Sequence, residues 1–306
     1  MSARVALVFP GQGSQRVGML SDLACLDGAA RLLDAAEAIS DLPLRHVAEA
    51  GTPEQLADTR FAQPLLYLAD WAAGVEALAS GVTPEAVAGH SLGELAALAI
   101  AGVYSAEAGL ELVVERSRLM AAVAAETPGG MIAVLGLDAA AIATALGGID
   151  GVWVANDNSP GQTVVSGTPD GLAAAMEALT GAGARRIVPL AVAGPFHSPL
   201  MQPAATRFAD LLRAATFVDA AFPVFQNTAA APAENADVIR QRLAGQIVSP
   251  VRWTETMQSL KAAGVTVLLE CGPGAVLTGL AKRVDGLSAY AMEQTDIQDF
   301  RREVGA

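Results

Sequence analysis

The stretch AVAGHSLGELAALAIAGV, residues 86–103, carries the reading of the whole chain. Its small apolar lead-in (EAVAG, 85–89) reads as a strand, and the alanine- and leucine-rich run after Gly93 reads as a helix. Between them Ser91 stands two residues from Gly89 and two from Gly93. A serine on such a strand-to-helix turn fits a nucleophile elbow. Small neighbours permit the sharp turn, and the hydroxyl is lifted to the N-terminus of the following helix, where free N–H groups and the helix dipole can hold an oxyanion. Gly-x-Ser-x-Gly alone recurs by chance; the strand before it and the helix after it give it weight.

The same alternation of short apolar runs and alanine-rich helical runs extends outward and predicts an α/β fold with a largely parallel sheet. RVALVF (4–9) reads as a strand closed by Pro10, and PLLYLADWAAGVEALAS (64–80) as a helix. SAEAGLELVVERSRLMAAVAAE (105–126) reads as a helix with Ser105 as N-cap and TPGG as its stop. There the rhythm changes. MIAVLGL, DAAAIATALGG, VWVANDN, QTVVSG, TPDGLAAAMEALTGAGA and RRIVPLAVAG run β-α-β-β-α-β, the order of a ferredoxin-like unit. The unit begins and ends inside the chain, so the expected architecture is a large subdomain from 1–126 and 196–306 with a small one, 127–195, inserted. VTVLLECGPGAVLTGLAKR (265–283) then returns to strand, glycine turn and helix.

With 306 residues, 52% hydrophobic and 17% charged, the chain can bury a large core and is not disordered. Apolar runs such as LAALAIAGVY (95–104) are too short to cross a bilayer, which argues against membrane insertion. MSARVALVFPGQGSQ at the N-terminus reads as a core strand rather than a signal peptide. Cys25 and Cys271 are the only cysteines and lack metal spacing, so a reduced, cytoplasmic protein is expected. With three histidines (His46, His90, His197) and neither H-E-x-x-H nor C-x-x-C, a metal enzyme is not expected. A net charge of −13 without a basic tract speaks against nucleic acid. An acidic partner would need a local basic patch, for which Arg185-Arg186, Lys261 and Lys282-Arg283 are candidates against the plainer reading of scattered solubilising charge.

A serine nucleophile needs a base. His46 lies in a polar segment and His90 is locked beside Ser91, pointing away from it, so elimination leaves His197 in AVAGPFHSPLM. A lone histidine is ordinarily a satisfied core or loop residue; the elbow and the want of a rival favour the base. An α/β-hydrolase places an acid between Ser and His in chain order, yet the acids of 92–196 lie in helices or turns, Asp157 and Asp170 within the inserted unit. No acid fits, and a backbone carbonyl can orient Nδ1–H instead. If 105–126 is helical, the neighbours of Arg116 are Leu112, Val113, Leu119 and Met120, all apolar, whereas Arg118 neighbours Val114, Glu115, Ala121 and Ala122. A guanidinium in an apolar stripe is costly unless it meets an anion, and its fork matches a carboxylate. An internal ion pair or a snorkelling stem is the competing reading.

FPGQGSQ (9–15), AQP (62–64), GHSLGE (89–94), RSRLM (116–120), ANDNSPGQTVVSG (155–167), GPFHSPLM (194–201), QIVSPVRW (246–253) and ECGPGAVLTGL (270–280) occur in this order. Together they resemble the malonyl-CoA:acyl carrier protein transacylases and the related acyltransferase domains of polyketide synthases, over nearly the whole chain. The resemblance implies a hydrolase-like α/β subdomain with a ferredoxin-like insert and an active site between them. It implies Ser91 as nucleophile, His197 as base, the main-chain carbonyl of Gln246 orienting the histidine, Gln12 with the N–H of Leu92 as oxyanion hole, and Gln63 in the pocket. Arg116 matches the arginine that binds the malonyl carboxylate, and Phe196 the ring that accompanies malonyl rather than branched extenders. Pro195, where Ala or Ser is expected, and Ala121, where Gln is frequent, depart from the pattern. The implied reaction is ping-pong: malonyl-CoA as donor, a phosphopantetheinylated acyl carrier protein as acceptor, no bound cofactor. Alternatives are a polyketide-synthase acyltransferase acting in trans, the malonyl-transferring subunit of malonate decarboxylase, and a serine thioesterase or esterase. The missing acid and Arg116 count against the last. A non-enzymatic docking module ranks lowest, since Ser91, His197, Gln12 and Arg116 are intact.

Overall fold

The structure is a computed structural model that describes residues 3–21 and 27–305. Cys25 and the first two residues of the N-terminal stretch lie outside them. In chain order the strands are β1 (Val5–Phe9), β2 (Ala86–Gly89), β3 (Gly130–Leu135), β4 (Val152–Ser159), β5 (Gln162–Gly167), β6 (Arg186–Pro189), β7 (Val224–Gln226), β8 (Ala231–Ala233), β9 (Val251–Arg252), β10 (Val267–Glu270) and β11 (Ser288–Ala291).

β1 is the centre of the larger sheet, whose order is β11-β10-β1-β2-β7-β8, parallel throughout except for the β7–β8 pair. Val5, Leu7 and Phe9 face one core while Ala6 and Val8 face another. A strand buried on both faces shows a continuous apolar run instead of alternation, which is why VALVF reads as it does. The first core is closed by the helices 59–79, 93–100 and 106–126, the second by Trp253, Met257 and Leu277.

The second sheet has the order β6-β3-β5-β4-β9. Its first four strands are antiparallel to their neighbours, and the helices 139–146 and 169–181 bury Ile142, Leu146, Ala175 and Leu179 against Ile132, Val134 and Val165. This is the expected β-α-β-β-α-β unit. β9, from beyond the unit in sequence, adds itself to β4 in parallel and ties the two sheets together.

Two expectations need adjustment. The helix expected from Pro64 begins at Thr59, because Asp58 caps it by accepting from the Arg60 N–H at 2.9 Å; Pro64 sits one turn in and omits a single bond. The strand expected over 185–194 ends at Pro189. Leu190 still donates to the Met131 carbonyl, but the Val192 N–H folds back to the Leu190 carbonyl at 3.0 Å, so residues 190–192 leave the sheet. They wall the cavity described next.

Candidate active site

The loops leaving β1 and β2 open beside β3 and β5 of the second sheet, and a cavity of about 330 Å³ lies between them. Carboxyl ends of parallel strands are where open α/β sheets place their ligands. Ser91 stands on the turn after β2 with φ 51°, in the left-handed region, a conformation that costs a non-glycine residue about 1–3 kcal/mol. The flanking glycines make room for it. A Cβ on Gly89 would lie 2.0 Å from Gly93, and one on Gly93 would lie 2.1 Å from the Phe9 carbonyl oxygen. Asn227, just past β7, holds the turn from outside: its Oδ1 accepts the Ser91 N–H at 2.7 Å and its Nδ2 donates to the Gly89 carbonyl at 2.6 Å. The Asn227 N–H in turn donates to the buried Glu94 carboxyl at 2.8 Å, which Gln226 Nε2 also reaches at 3.1 Å.

His197 is 4% exposed, and its Nε2 lies 2.7 Å from Ser91 Oγ. Nδ1 faces two main-chain oxygens, those of Gln246 and Ser249, each at 3.1 Å. A carbonyl can only accept, so Nδ1 carries the proton and the Nε2 lone pair is turned to the serine hydroxyl. Burial, the Arg116 charge and His90 together push the imidazole down to about 3, so at neutral pH it is neutral and its Nε2 lone pair is free. His46 is exposed on the helix 44–50, while His90 turns away to Asn158 Oδ1 at 2.8 Å and packs edge-on to Trp253.

Arg116 is 1% exposed, and its bonded partners are neutral. Nη1 donates to Gln63 Oε1 at 2.7 Å, and Nη2 to Gln246 Oε1 at 2.9 Å and Ser91 Oγ at 3.3 Å; Nε has no partner among the described residues. Burial pushes the guanidinium down to about 10, against the opposing pull of Glu94, so it remains a cation. Arg118, two residues on, is exposed and pairs with Glu115 at 2.6 Å. Gln63 completes its own bonding with Nε2 on Met120 Sδ at 3.4 Å.

The Gln12 side-chain amide is already engaged: Nε2 donates to the Ala57 carbonyl at 3.2 Å, and Oε1 accepts from Thr59 Oγ1 at 3.3 Å. Gln12 and Leu92 both line the cavity, and their main-chain N–H groups have no hydrogen-bond partner among the described residues. Phe196, 5% exposed, forms part of the wall. Pro195 is buried, with its ring over Gly129, where any Cβ would meet it at 2.8 Å. The structure thus gathers Gln12, Gln63, Ser91, Leu92, Arg116, Phe196 and His197 around one cavity, with Gln246 in contact behind Ser91, Arg116 and His197.

The family model described as acyl transferase domain matches residues 6–300. The chain belongs to the acyl transferase domain family. Among relatives of this acyl transferase, malonyl CoA-acyl carrier protein transacylase of Bacillus subtilis (strain 168) is 41% identical over 291 residues, 92% of this chain and 91% of that one. The protein of the same name from Escherichia coli (strain K12) is 41% identical over 295 residues, covering 94% and 96%. A malonyl-transacylase solved in complex with its holo type II PKS acyl-carrier protein superposes with a TM-score of 0.92 at 39% identity, over 98% of this chain and 99% of that one. The malonyl CoA-acyl carrier protein transacylase from Coxiella burnetii gives 0.92 at 34%, over 99% and 98%.

Asn227, Glu94, Ser249 and the side chain of Gln246 escaped the sequence reading. Glu94 lies in the quoted stretch but reads as an ordinary first-turn acid. Asn227 follows an apolar strand with no local mark of its role; only the register of β7 beside β2 brings it to the elbow. The depressed His197 basicity has a direct consequence. An ordinary histidine loses its lone pair as pH falls through about 6.5, whereas this one keeps it well below that. The acid limb of kcat/KM for serine acylation is therefore expected below pH 5. Because the folded-state value lies under the unfolded one, the same group stabilises the fold fully above about 6.5 and progressively less as pH falls toward 3. Circular dichroism at each pH separates the two effects, and an acid limb at 6.5 in folded enzyme contradicts the assignment.

Proposed function

We propose that this acyl transferase moves a malonyl group from malonyl-CoA to the phosphopantetheine thiol of an acyl carrier protein through a malonyl ester on Ser91. The observation that carries the reading is the buried Arg116, a cation bonded only to neutral groups and 3.3 Å from the serine oxygen. An acyl group with a free carboxylate supplies the missing anion and would be held there bidentately. Relatives that bear the name malonyl CoA-acyl carrier protein transacylase, at about 40% identity across most of the chain, support the same donor and acceptor.

In the first half-reaction His197 Nε2 takes the Ser91 proton as Oγ attacks the thioester carbonyl. The tetrahedral oxygen falls to the N–H groups of Gln12 and Leu92; donors so aimed contribute roughly 3–4 kcal/mol each. The imidazolium then gives its proton to the departing CoA sulfur. In the second half the carrier's thiol loses its proton to His197, attacks the Ser91 ester, and the proton returns to Oγ as the ester breaks. Gln63 and the carbonyls of Gln246 and Ser249 keep the arginine and the base in place, and Phe196 fills space that an α-branch would need. No cofactor enters these steps. We assign 1–126 with 196–306 as the catalytic subdomain and 127–195 as the insert that covers it. Among the described residues no helix is long and apolar enough to cross a membrane. We infer a cytoplasmic enzyme, in line with its sparse cysteines.

Arg185, Arg186, Lys282 and Arg283 are exposed and form no salt bridge among the described residues, so they remain open to an acidic carrier despite the overall charge of −13. Two outcomes are expected. Arg116→Ala lowers kcat/KM for malonyl-CoA about a hundredfold, the loss of about 3 kcal/mol for a buried charge pair, with a smaller effect on acetyl-CoA; equal losses on both substrates contradict the carboxylate role. Arg185→Glu with Arg186→Glu raises the carrier KM several-fold while malonyl-CoA loading is unchanged; an unchanged carrier KM removes this surface from the docking site.

A further inference from the structure

Three groups of the site converge on one residue that belongs to none of the reacting atoms. The main-chain carbonyl of Gln246 accepts from His197 Nδ1 at 3.1 Å. Its side-chain Oε1 accepts from Arg116 Nη2 at 2.9 Å, and its Nε2 donates to the Ser91 carbonyl at 2.9 Å. The side chain is wholly buried, with 0% exposure, at the start of the short 3-10 turn Gln246–Val248. The amide also faces the Glu94 carboxyl, which burial pushes up while hydrogen bonds from Asn227, Gln246 and Gln226 and the Arg116 charge pull it down, so that the two buried groups act on each other. Glu94 is itself engaged by the Asn227 N–H and Gln226 Nε2, and it makes no bond to Arg116.

We infer that the Gln246 side chain is a positioning and specificity residue: a neutral spacer that fixes the Arg116 fork to the nucleophile turn while keeping Glu94 from neutralising it. The inference rests on the malonyl reading given above and extends it. A buried arginine ordinarily meets its anion inside the protein, since an unpaired charge is costly there. An amide oxygen serves a different purpose. It satisfies one N–H and sets the plane of the guanidinium, yet it carries no net charge, so the electrostatic demand for an anion is left for the acyl group to meet. Gln63 Oε1 does the same for Nη1 at 2.7 Å. Gln246 differs from Gln63 in being joined through Nε2 to the Ser91 main chain, which fixes the distance from the arginine to the attacked carbonyl. That distance is what separates a three-carbon diacid thioester from a longer one.

Glutamate at 246 keeps the length and shape, supplies a carboxylate to Arg116, and replaces the donor to the Ser91 carbonyl by an acceptor. Gln246→Glu is expected to reduce malonyl loading of Ser91, read by intact mass in single-turnover mixing, at least tenfold more than acetyl loading. The malonyl-to-acetyl ratio therefore falls at least tenfold. Gln246→Met, which keeps length without an amide, is expected to lower the ratio less than Gln246→Glu, because it loosens the arginine without neutralising it. Thermal unfolding of both variants confirms the fold, and since both retain the main-chain carbonyl toward His197, a general loss of base function would lower both substrates together. A ratio unchanged in Gln246→Glu, in a protein whose parent prefers malonyl, overturns the spacer role and leaves the malonyl reading standing. A parent that loads acetyl as readily as malonyl overturns the malonyl reading itself.

Discussion

A single buried cation without a carboxylate at bonding distance organises this site. Arg116 lies within the helix 106–126 on a stripe otherwise filled by Leu112, Val113 and Met120, and the fold sustains its charge there with amide oxygens from two distant parts of the chain. Other features follow. Its charge adds to burial in keeping the His197 imidazole unprotonated, so the Nε2 lone pair beside Ser91 is available without an acid to tune it. Glu94, held by Asn227 and Gln226, acts on the charge from a distance and makes no bond to the fork, whose partners stay neutral. The same Asn227 clamps the turn at Ser91, so the strained backbone of Ser91 and the electrostatics of the pocket are supported by one polar cluster.

Orientation of the histidine by two carbonyls also bears on which acceptor wins. A carboxylate partner stabilises the imidazolium and so strengthens the base toward any nucleophile, water included. Carbonyl oxygens fix the tautomer and the ring plane while doing less for the charged form. A thiol gives up its proton far more readily than water does, so a weaker base selects for it. On the proposed reading, an acyl ester on Ser91 protected in this way, its carboxylate on Arg116, waits for the carrier.

The parts of the site that were legible in the sequence are those whose physics is local. The elbow announced itself because two glycines, a strand and a helix are contiguous. Arg116 stood out because helical spacing alone surrounds it with apolar residues, and the structure buries it as that spacing demands. The ferredoxin-like unit was legible from the order of its periodicities. Side-chain direction was not: Gln12 sits in the right loop, but its amide is spent on Ala57 and Thr59. Nor were Asn227 and the side chain of Gln246, whose roles arise from contacts 136 and 155 residues away in sequence. The strand expected over 185–194 failed for a related reason, since RRIVPLAVAG carries a strand's composition but Val192 bonds back to Leu190 and gives those residues to the cavity wall.

The central claim is that Ser91 carries an acyl group which this site gives to a thiol and withholds from water. Its most direct test follows the mass of the protein after stoichiometric malonyl-CoA, first in buffer alone and then with holo acyl carrier protein. The account predicts a malonyl adduct on Ser91 that persists in buffer for many times the loading period and moves to the carrier once it is added. An adduct lost to water at the same rate with and without the carrier, the carrier remaining unlabelled, would contradict it.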